Sequence, residues 1–449
     1  MKYLILTFIF IFLLLSNLFS QGLFESTVQE NSGNKPGGLS FNGYVRGSSF
    51  LASKKYDYPA VFGETSLQTK ISTQNLILFS DLRFRSGYIF NEQINEFEIK
   101  EAYAGIKSDF FDVLIGNQII TWGRTDGFNP TNNISPNNYF FLSANPDDQK
   151  LSNFMLSTEF RISPAISIDI IGIPVFKPSI YKYDLINNND NASFTNPDLP
   201  DKVFKNGSLA AKLDFEFPSI GFSLSFFNGY DPFYGFDIKN VEYSIGLPEI
   251  TYIPSFYRKT SLGLDFTLPL GTWILRSEAA YNLPENNENK MYIPNKDISY
   301  VVGIEHDFKG FLTIIQYIGK YTFDYNRLDK PQLTNPLDPL ALLQYASETI
   351  NYESALYNRK IFHQQKQMNH ALSIIISKSF FYETLNLDLS GYYDISSKEY
   401  MIRPSLKWNI NNSLSATAGY SYMNGPSQSL FSYATSVLSG GFIEIKASF

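Results

Sequence analysis

The chain has 449 residues, no cysteine, 16% aromatic residues and a formal net charge of −7. The lack of cysteine excludes disulfides, thiolate chemistry and a lipid-modified cysteine anchor. The acidic balance excludes the basic footprint of a nucleic-acid partner.

Residues 1–20 have the three-part layout of a secretory signal peptide: Lys2, an apolar run from Leu4 to Leu15, and a more polar exit ending at Ser20. The run is short of the ~20 residues of a spanning helix, so cleavage near Ser20 is expected. Residues 21–39, with NSGNKPGG in their middle, read as a periplasmic tail.

Residues 40–449 repeat one unit. A segment of about 10 to 13 residues alternates apolar and polar, a short turn follows, then a second such segment and a longer polar loop. In NFMLSTEFRI one face holds Phe154, Leu156, Thr158, Phe160 and Ile162, while the other holds Asn153, Met155, Ser157, Glu159 and Arg161. Successive strand side chains point to opposite faces, so each segment has one oily and one polar side. Tight turns are expected near residues 72, 108, 163, 218, 269, 308, 380 and 410. Loops are expected near 52–59, 88–93, 121–151, 179–205, 230–258, 283–297, 323–366, 395–398 and 424–435. Eight turns and nine loops join about 18 strands and leave both ends on the tight-turn side, the parity of outer-membrane barrels.

The fold expected is therefore all-β: a transmembrane antiparallel β-barrel with short periplasmic turns and long extracellular loops, in the outer membrane of a Gram-negative-type bacterium. Lipid offers backbone groups no partner, so a spanning sheet must close on itself. The last segment, SGGFIEIKASF, ends on Phe449 with Gly441, Ile443, Ile445 and Ala447 on the same face. That form resembles the assembly signal of such barrels, which makes the barrel-assembly machinery an expected partner beside membrane lipid and a small-molecule solute. Phe84, Tyr103, Phe226, Trp273, Tyr281, Trp408 and Tyr420 are expected on the lipid face, largely as interface girdles.

About 18 strands enclose a lumen wide enough for water. Its lining should include Arg83 and Arg85 beside Asp81, facing Glu96, Glu98 and Lys100 across one ladder, where opposite charges support each other. Glu159, Arg161, Arg276 and Glu278 are further lining residues. Glu101 breaks the alternation and signals a bulge or a shifted register. The loop at 121–151 bends at Trp122, Arg124 and Asp126, with a turn at Asn129-Pro130. It is expected to fold inward as a constriction, with Arg124 paired to Asp126 or to a lumen carboxylate such as Glu98. Further on, LDPLALLQYASETI predicts a short helix over the mouth, with Asp338 as N-cap and Pro339 in its first turn.

The stretch EIKEAYAGIKSDFFDVLIGNQIITWGRTDGFNPTN, beginning at Glu98, resembles the motif region of bacterial substrate-channel porins of the alginate-export kind. It has their E-A-Y strand core at Glu101, Ala102 and Tyr103, their G-x-Q strand at Gly116, Asn117 and Gln118, and their W-G-R-x-D bend from Trp122 to Asp126. The resemblance implies an 18-stranded, solute-conducting barrel with charged lumen residues.

The three histidines, His306, His363 and His370, stand in no triad-like or metal-binding motif. No Gly-rich phosphate loop follows a strand, and the NNNDN run at 187–191 reads as solvated loop. The expected protein is not an enzyme and carries no cofactor or metal. It is a passive channel for small polar or weakly charged solutes, constricted by the inward loop. A channel for hydrophobic substrates, and a closed barrel serving as adhesin or structural surface protein, are the alternatives.

Overall fold

The computed structural model describes residues 38–51, 55–56, 59–186, 191–243, 248–285 and 290–449. The expected signal peptide, nearly all of the tail and most of the NNNDN run lie outside these residues.

Eighteen strands form one antiparallel sheet. In chain order they are β1 (Gly38–Leu51), β2 (Ala60–Ser72), β3 (Leu76–Ile89), β4 (Glu92–Lys107), β5 (Phe111–Gln118), β6 (Asn153–Ser163) and β7 (Ile166–Ile173). After a long loop come β8 (Ser208–Phe217), β9 (Ile220–Tyr230), β10 (Arg258–Leu270), β11 (Trp273–Pro284), β12 (Asp297–Phe308) and β13 (Phe311–Thr322). The last are β14 (Met368–Phe380), β15 (Leu385–Asp394), β16 (Tyr400–Asn409), β17 (Leu414–Asn424) and β18 (Gly440–Ser448). Each strand pairs with its neighbours in sequence, and β1 also pairs with β18 from Tyr44↔Ser448 to Leu51↔Gly441. The sheet is thus a closed barrel without an edge. Phe449 completes the seam, its N–H and C=O each bonding to Gly43 at 2.9 Å.

The two faces follow the alternation of the sequence. On β10, Leu262, Leu264 and Leu270 are exposed outward, whereas Ser261 and Asp265 are buried within. The outward belt suits a bilayer; the inward face is polar. Phe84, Phe226, Trp273, Trp408 and Tyr420 lie exposed on the outside as expected.

All eight tight turns fall within about two residues of where the sequence places them, and three findings correct the expectations. The loop at 88–93 is only the pair Phe90-Asn91, with φ of 50° and 65°. Two left-handed residues form the turn whose twist matches paired strands, and Asn tolerates that conformation. Second, the ladder between β3 and β4 shifts register after Asp81: Asp81 faces Glu101 while Leu82 faces Ile99. The extra residue, Lys100, is a bulge that turns the rest of β4 over. Glu101 therefore faces inward, and so does Tyr103, whose ring lies tilted against Phe79 at 5.3 Å rather than joining the lipid girdle. Third, the helix capped by Asp338 is 23 residues long, α1 (Pro339–Ile361). The Asp338 carboxylate accepts the Leu340 N–H at 3.0 Å. Helix-forming residues beyond the expected segment carry it on.

At the loop end of the barrel, Gly235–Glu242 and Glu249–Ser255 pair antiparallel, and Ala192–Phe194 adds in parallel. This small sheet and α1 share an aromatic core of Tyr234, Phe236, Phe256 and Ile361. Asn358 of α1 acts as one more strand residue, exchanging two 2.8 Å hydrogen bonds with the backbone of Phe236. A second helix, α2 (Leu430–Leu438), packs Ala434 and Val437 against Phe50, Phe62 and Phe442 of the wall.

Candidate functional site

The loop joining β5 to β6, residues 119–152, makes side-chain contacts with inward residues on opposite sides of the barrel. Its two lobes have separate fastenings.

The first lobe starts at the strand end, where Glu101 accepts the Ile119 N–H at 2.9 Å. Trp122 is only 4% exposed and is packed with Ile134, Met155, Ile171, Ile173, Ala210 and Phe227. Beyond it the chain turns at Gly123, with φ of +108°. A Cβ at Gly123 would collide with the Glu278 carboxylate, so only glycine fits both the angle and the approach. Arg124 then reaches β8 and β10, at 2.7 Å from Asp214, 2.6 Å from Glu216 and 2.5 Å from Asp265. It pairs with neither Asp126 nor Glu98: the bend carries it away from β4, where Glu98 is held by Arg85 at 3.1 Å. Asp126 instead meets Arg276 at 3.1 Å, and Arg276 also holds Glu305 at 2.7 Å.

Glu278 is the centre of this lobe and is fully buried. One carboxylate oxygen accepts the Thr131 N–H at 2.8 Å and the Thr131 hydroxyl at 2.7 Å. The other lies 2.8 Å from the Thr125 hydroxyl and 3.3 Å from the Asn129 amide. No lysine or arginine forms an ion pair with it among the described residues. The segment 125–131 is thus wrapped around one strand carboxylate, and Phe128 beyond it stacks on Tyr392 of β15 at 5.2 Å.

The second lobe returns along the facing wall. Phe140, Phe141 and Leu142 pack with Phe62 and Phe90 of β2 and the turn after β3. Arg403 of β16 donates to the carbonyls of Ser143 and Ala144 at 2.8 and 2.9 Å. Asp148 bridges Arg46 at 2.6 Å and Arg83 at 3.1 Å. Lys100 donates to the carbonyls of Asp148 and Lys150. Burial alone would raise the pKa of Asp148; the Arg46 guanidinium, the Ser143 hydroxyl and Arg83 more than reverse this and hold the carboxyl below its usual range. For Arg124 burial works against the charge, but the bonds to Glu216 and Asp265 raise its pKa above the ordinary value. Both loop ends are therefore held by ionised groups.

Beneath the second lobe lies a compact charge network. Arg46, 3% exposed, is 2.6 Å from Glu64 and 3.2 Å from Glu444. Arg85 is 2.5 Å from Glu64 and 3.3 Å from Glu96. Glu444 is one of the lumen charges that strand alternation gives, whereas Arg46, Glu64 and Asp148 were absent from the sequence-derived lining. Arg46 was legible, since Asn42, Tyr44, Arg46 and Ser48 share the polar face of β1; Asp148, inside an irregular loop, carried no periodic signal. Glu159 and Arg161 lie elsewhere: Arg161 holds Glu159 at 3.0 Å and Asp112 at 2.6 Å beside the turn after β4. With Glu101, Asp169 and Trp122, Glu159 borders a lumen recess of about 320 Å³.

No family model and no curated protein sequence matches the chain. Solved structures do. OccAB2 of Acinetobacter baumannii aligns with a TM-score of 0.52 at 11% identity, over 92% of this chain and 98% of that one. OccK3 (OpdO) of Pseudomonas aeruginosa gives 0.52 at 9%, over 92% and 95%. OccK2 (OpdF) of Pseudomonas aeruginosa, in complex with glucuronate, gives 0.53 at 8%, over 93% and 99%. The fold is that of the outer-membrane porins. At these identities the likeness is one of architecture: a closed barrel of 18 strands, matched over nearly the full length of both chains.

Proposed function

We propose that the chain is an outer-membrane channel through which small polar or weakly charged solutes diffuse passively, and that residues 119–152 narrow its passage. The observation that carries this is the double fastening of the loop. Arg124 is tied to Asp265 on β10 and Asp148 to Arg46 on β1, strands nine places apart in a ring of 18. All four strand residues involved, Arg46, Asp214, Asp265 and Glu278, lie near the middle of their strands, so the narrowing falls near mid-height. A charged, hydrogen-bonded lining supports a polar solute over a hydrophobic one.

The solute class to test first is a small sugar acid. Two features support it: the glucuronate complex of a protein with the same fold, and the alginate-export-like motif, whose Trp122-to-Asp126 bend forms the first lobe. Of the cations near the loop, Arg83, Arg85, Arg124 and Arg276 are neutralised by carboxylates, whereas Lys100 and Arg403 bond only carbonyls. Solute uptake into proteoliposomes holding the full-length protein tests the proposal, comparing glucose, glucuronate and a long-chain fatty acid. Entry of the first two, with glucuronate at least as fast, is expected. Entry of the fatty acid alone would overturn the polar-channel reading.

A further inference from the structure

The outward face of the strands is uncharged throughout its periplasmic half, except in one sector. Directly paired residues share a face of the sheet. In the halves nearest the tight turns, the described outward positions hold one lysine, Lys378, one histidine, His306, and no other Asp, Glu, Lys, Arg or His. The registers place both together: His306 faces Thr313, which faces Ile376, while Lys378 faces Leu387 one row nearer the turns. Neighbouring strands lie ~4.8 Å apart and rise ~3.4 Å per residue, so the two residues are separated by about 10 Å across the strands and about 7 Å along them. The turn between β12 and β13, Lys309-Gly310, projects between them.

The corner is built rather than accidental. The Lys378 ammonium donates to the Lys309 carbonyl at 2.7 Å and lies 4.5 Å over the Phe311 ring. A Cβ at Gly310 would sit 2.5 Å from that ammonium, at a φ of +83°, so glycine leaves its space open. The His306 ring stacks on Trp273 at 4.0 Å and meets the edge of Phe308 at 4.4 Å, with Nδ1 3.0 Å from the Thr272 carbonyl. Among the described residues none of Lys309, Lys378 and His306 forms an ion pair. Cations facing lipid are costly at mid-bilayer and tolerated at the headgroup level, where a counter-charge is at hand.

We propose that this corner binds the phosphate of an anionic phospholipid in the periplasmic leaflet. Lys309 and Lys378 face the phosphate oxygens, and Trp273, His306, Phe308 and Phe311 form a shelf for the glycerol and upper acyl chain. The ligand is an anionic lipid because two cations that form no ion pair, beside the single carboxylate of Asp307 that accepts the Gly310 N–H, leave a positive balance for its net charge, whereas a zwitterionic lipid brings its own cation to the site. This rests on the reading of the barrel as membrane-spanning.

Native mass spectrometry of the detergent-solubilised full chain tests it. The probes are phosphatidylglycerol, phosphatidylcholine with the same acyl chains, and inorganic phosphate. The wild type should retain phosphatidylglycerol at least tenfold better than phosphatidylcholine. K309Q and K378Q should each weaken retention about fivefold, the effect of one lysine at a charged membrane surface, while K398Q at the opposite rim leaves it unchanged. Equal retention of the two lipids, indifference to K309Q and K378Q, or displacement of the lipid by millimolar inorganic phosphate would overturn the proposal. The variants' heat-modifiable gel migration and vesicle insertion report the barrel itself. Loss of lipid preference in the wild type with insertion intact sinks only the lipid site; failure of the wild type to insert sinks the membrane reading.

Discussion

Replacing Glu278 by alanine removes the centre of the first lobe. Three of its contacts are short: the Thr131 N–H at 2.8 Å, the Thr131 hydroxyl at 2.7 Å and the Thr125 hydroxyl at 2.8 Å. The Asn129 amide at 3.3 Å and the Thr125 N–H at 3.4 Å add little. A buried donor left without its acceptor costs about 1–3 kcal/mol. The Thr125 hydroxyl keeps the Phe128 carbonyl at 2.6 Å, so the two Thr131 losses, partly relieved by water entering the vacated space, come to about 2–4 kcal/mol of loop docking. The barrel ladder through residue 278 uses backbone groups and is untouched, so the effect should be confined to the loop. In planar bilayers E278A should show larger and noisier conductance steps than the wild type, with unchanged heat-modifiable migration. Steps of wild-type size and quietness would refute the claim that this carboxylate holds the loop across the lumen.

Gly123→Ala places a Cβ against the same carboxylate at a backbone angle that alanine avoids, and should raise current noise in the same way; quiet wild-type steps would contradict it. Asp148→Asn breaks the second fastening and leaves buried Arg46 with fewer counter-charges, a loss of roughly 3 kcal/mol, read as increased conductance. The pH dependence follows from the lowered pKa of Asp148: its contribution is fully present above the unfolded value of about 3.9 and is lost as pH falls through the lower folded value. The part of the wild-type conductance that Asp148→Asn alters should therefore hold steady from neutral pH to about pH 4 and change only below it; a change in that part near pH 6 would show that another group controls this fastening. Asn358→Ala removes two hydrogen bonds between α1 and Phe236, about 2 kcal/mol in all, and should speed proteolytic nicking of the outer loops without altering barrel migration. Unchanged nicking would mean that the aromatic core alone holds α1.

What the sequence made legible follows from what a bilayer demands. Residues such as Leu262, Asp265 and Leu264 must alternate because lipid and lumen lie on opposite sides of one strand. Turn spacing is fixed by the thickness to be crossed, so strand number and parity could be read directly. Arg83, Arg85, Glu96 and Glu98 came from the same alternation and lie together. The failures mark places where alternation does not apply. The bulge at Lys100 inverted the face of Tyr103, a change of one residue that periodicity registers only as the misfit of Glu101. Phe90-Asn91 looked like a loop because its polar flanks, Glu92 and Gln93, belong to strand ends beyond the oily belt. The partners of Arg124 lie about 90 to 140 residues away and are chosen by the path of an irregular loop, for which no spacing rule exists. Asp148 is one of two adjacent aspartates, and only that path decides which meets Arg46.

The most direct test of the central claim is single-channel conductance of the purified full-length protein in planar bilayers, measured with and without E278A. Stable discrete steps for the wild type that enlarge and become noisy in the variant are predicted. A folded wild-type barrel that passes no current, or one whose steps are identical in E278A, would contradict a passage narrowed by the loop.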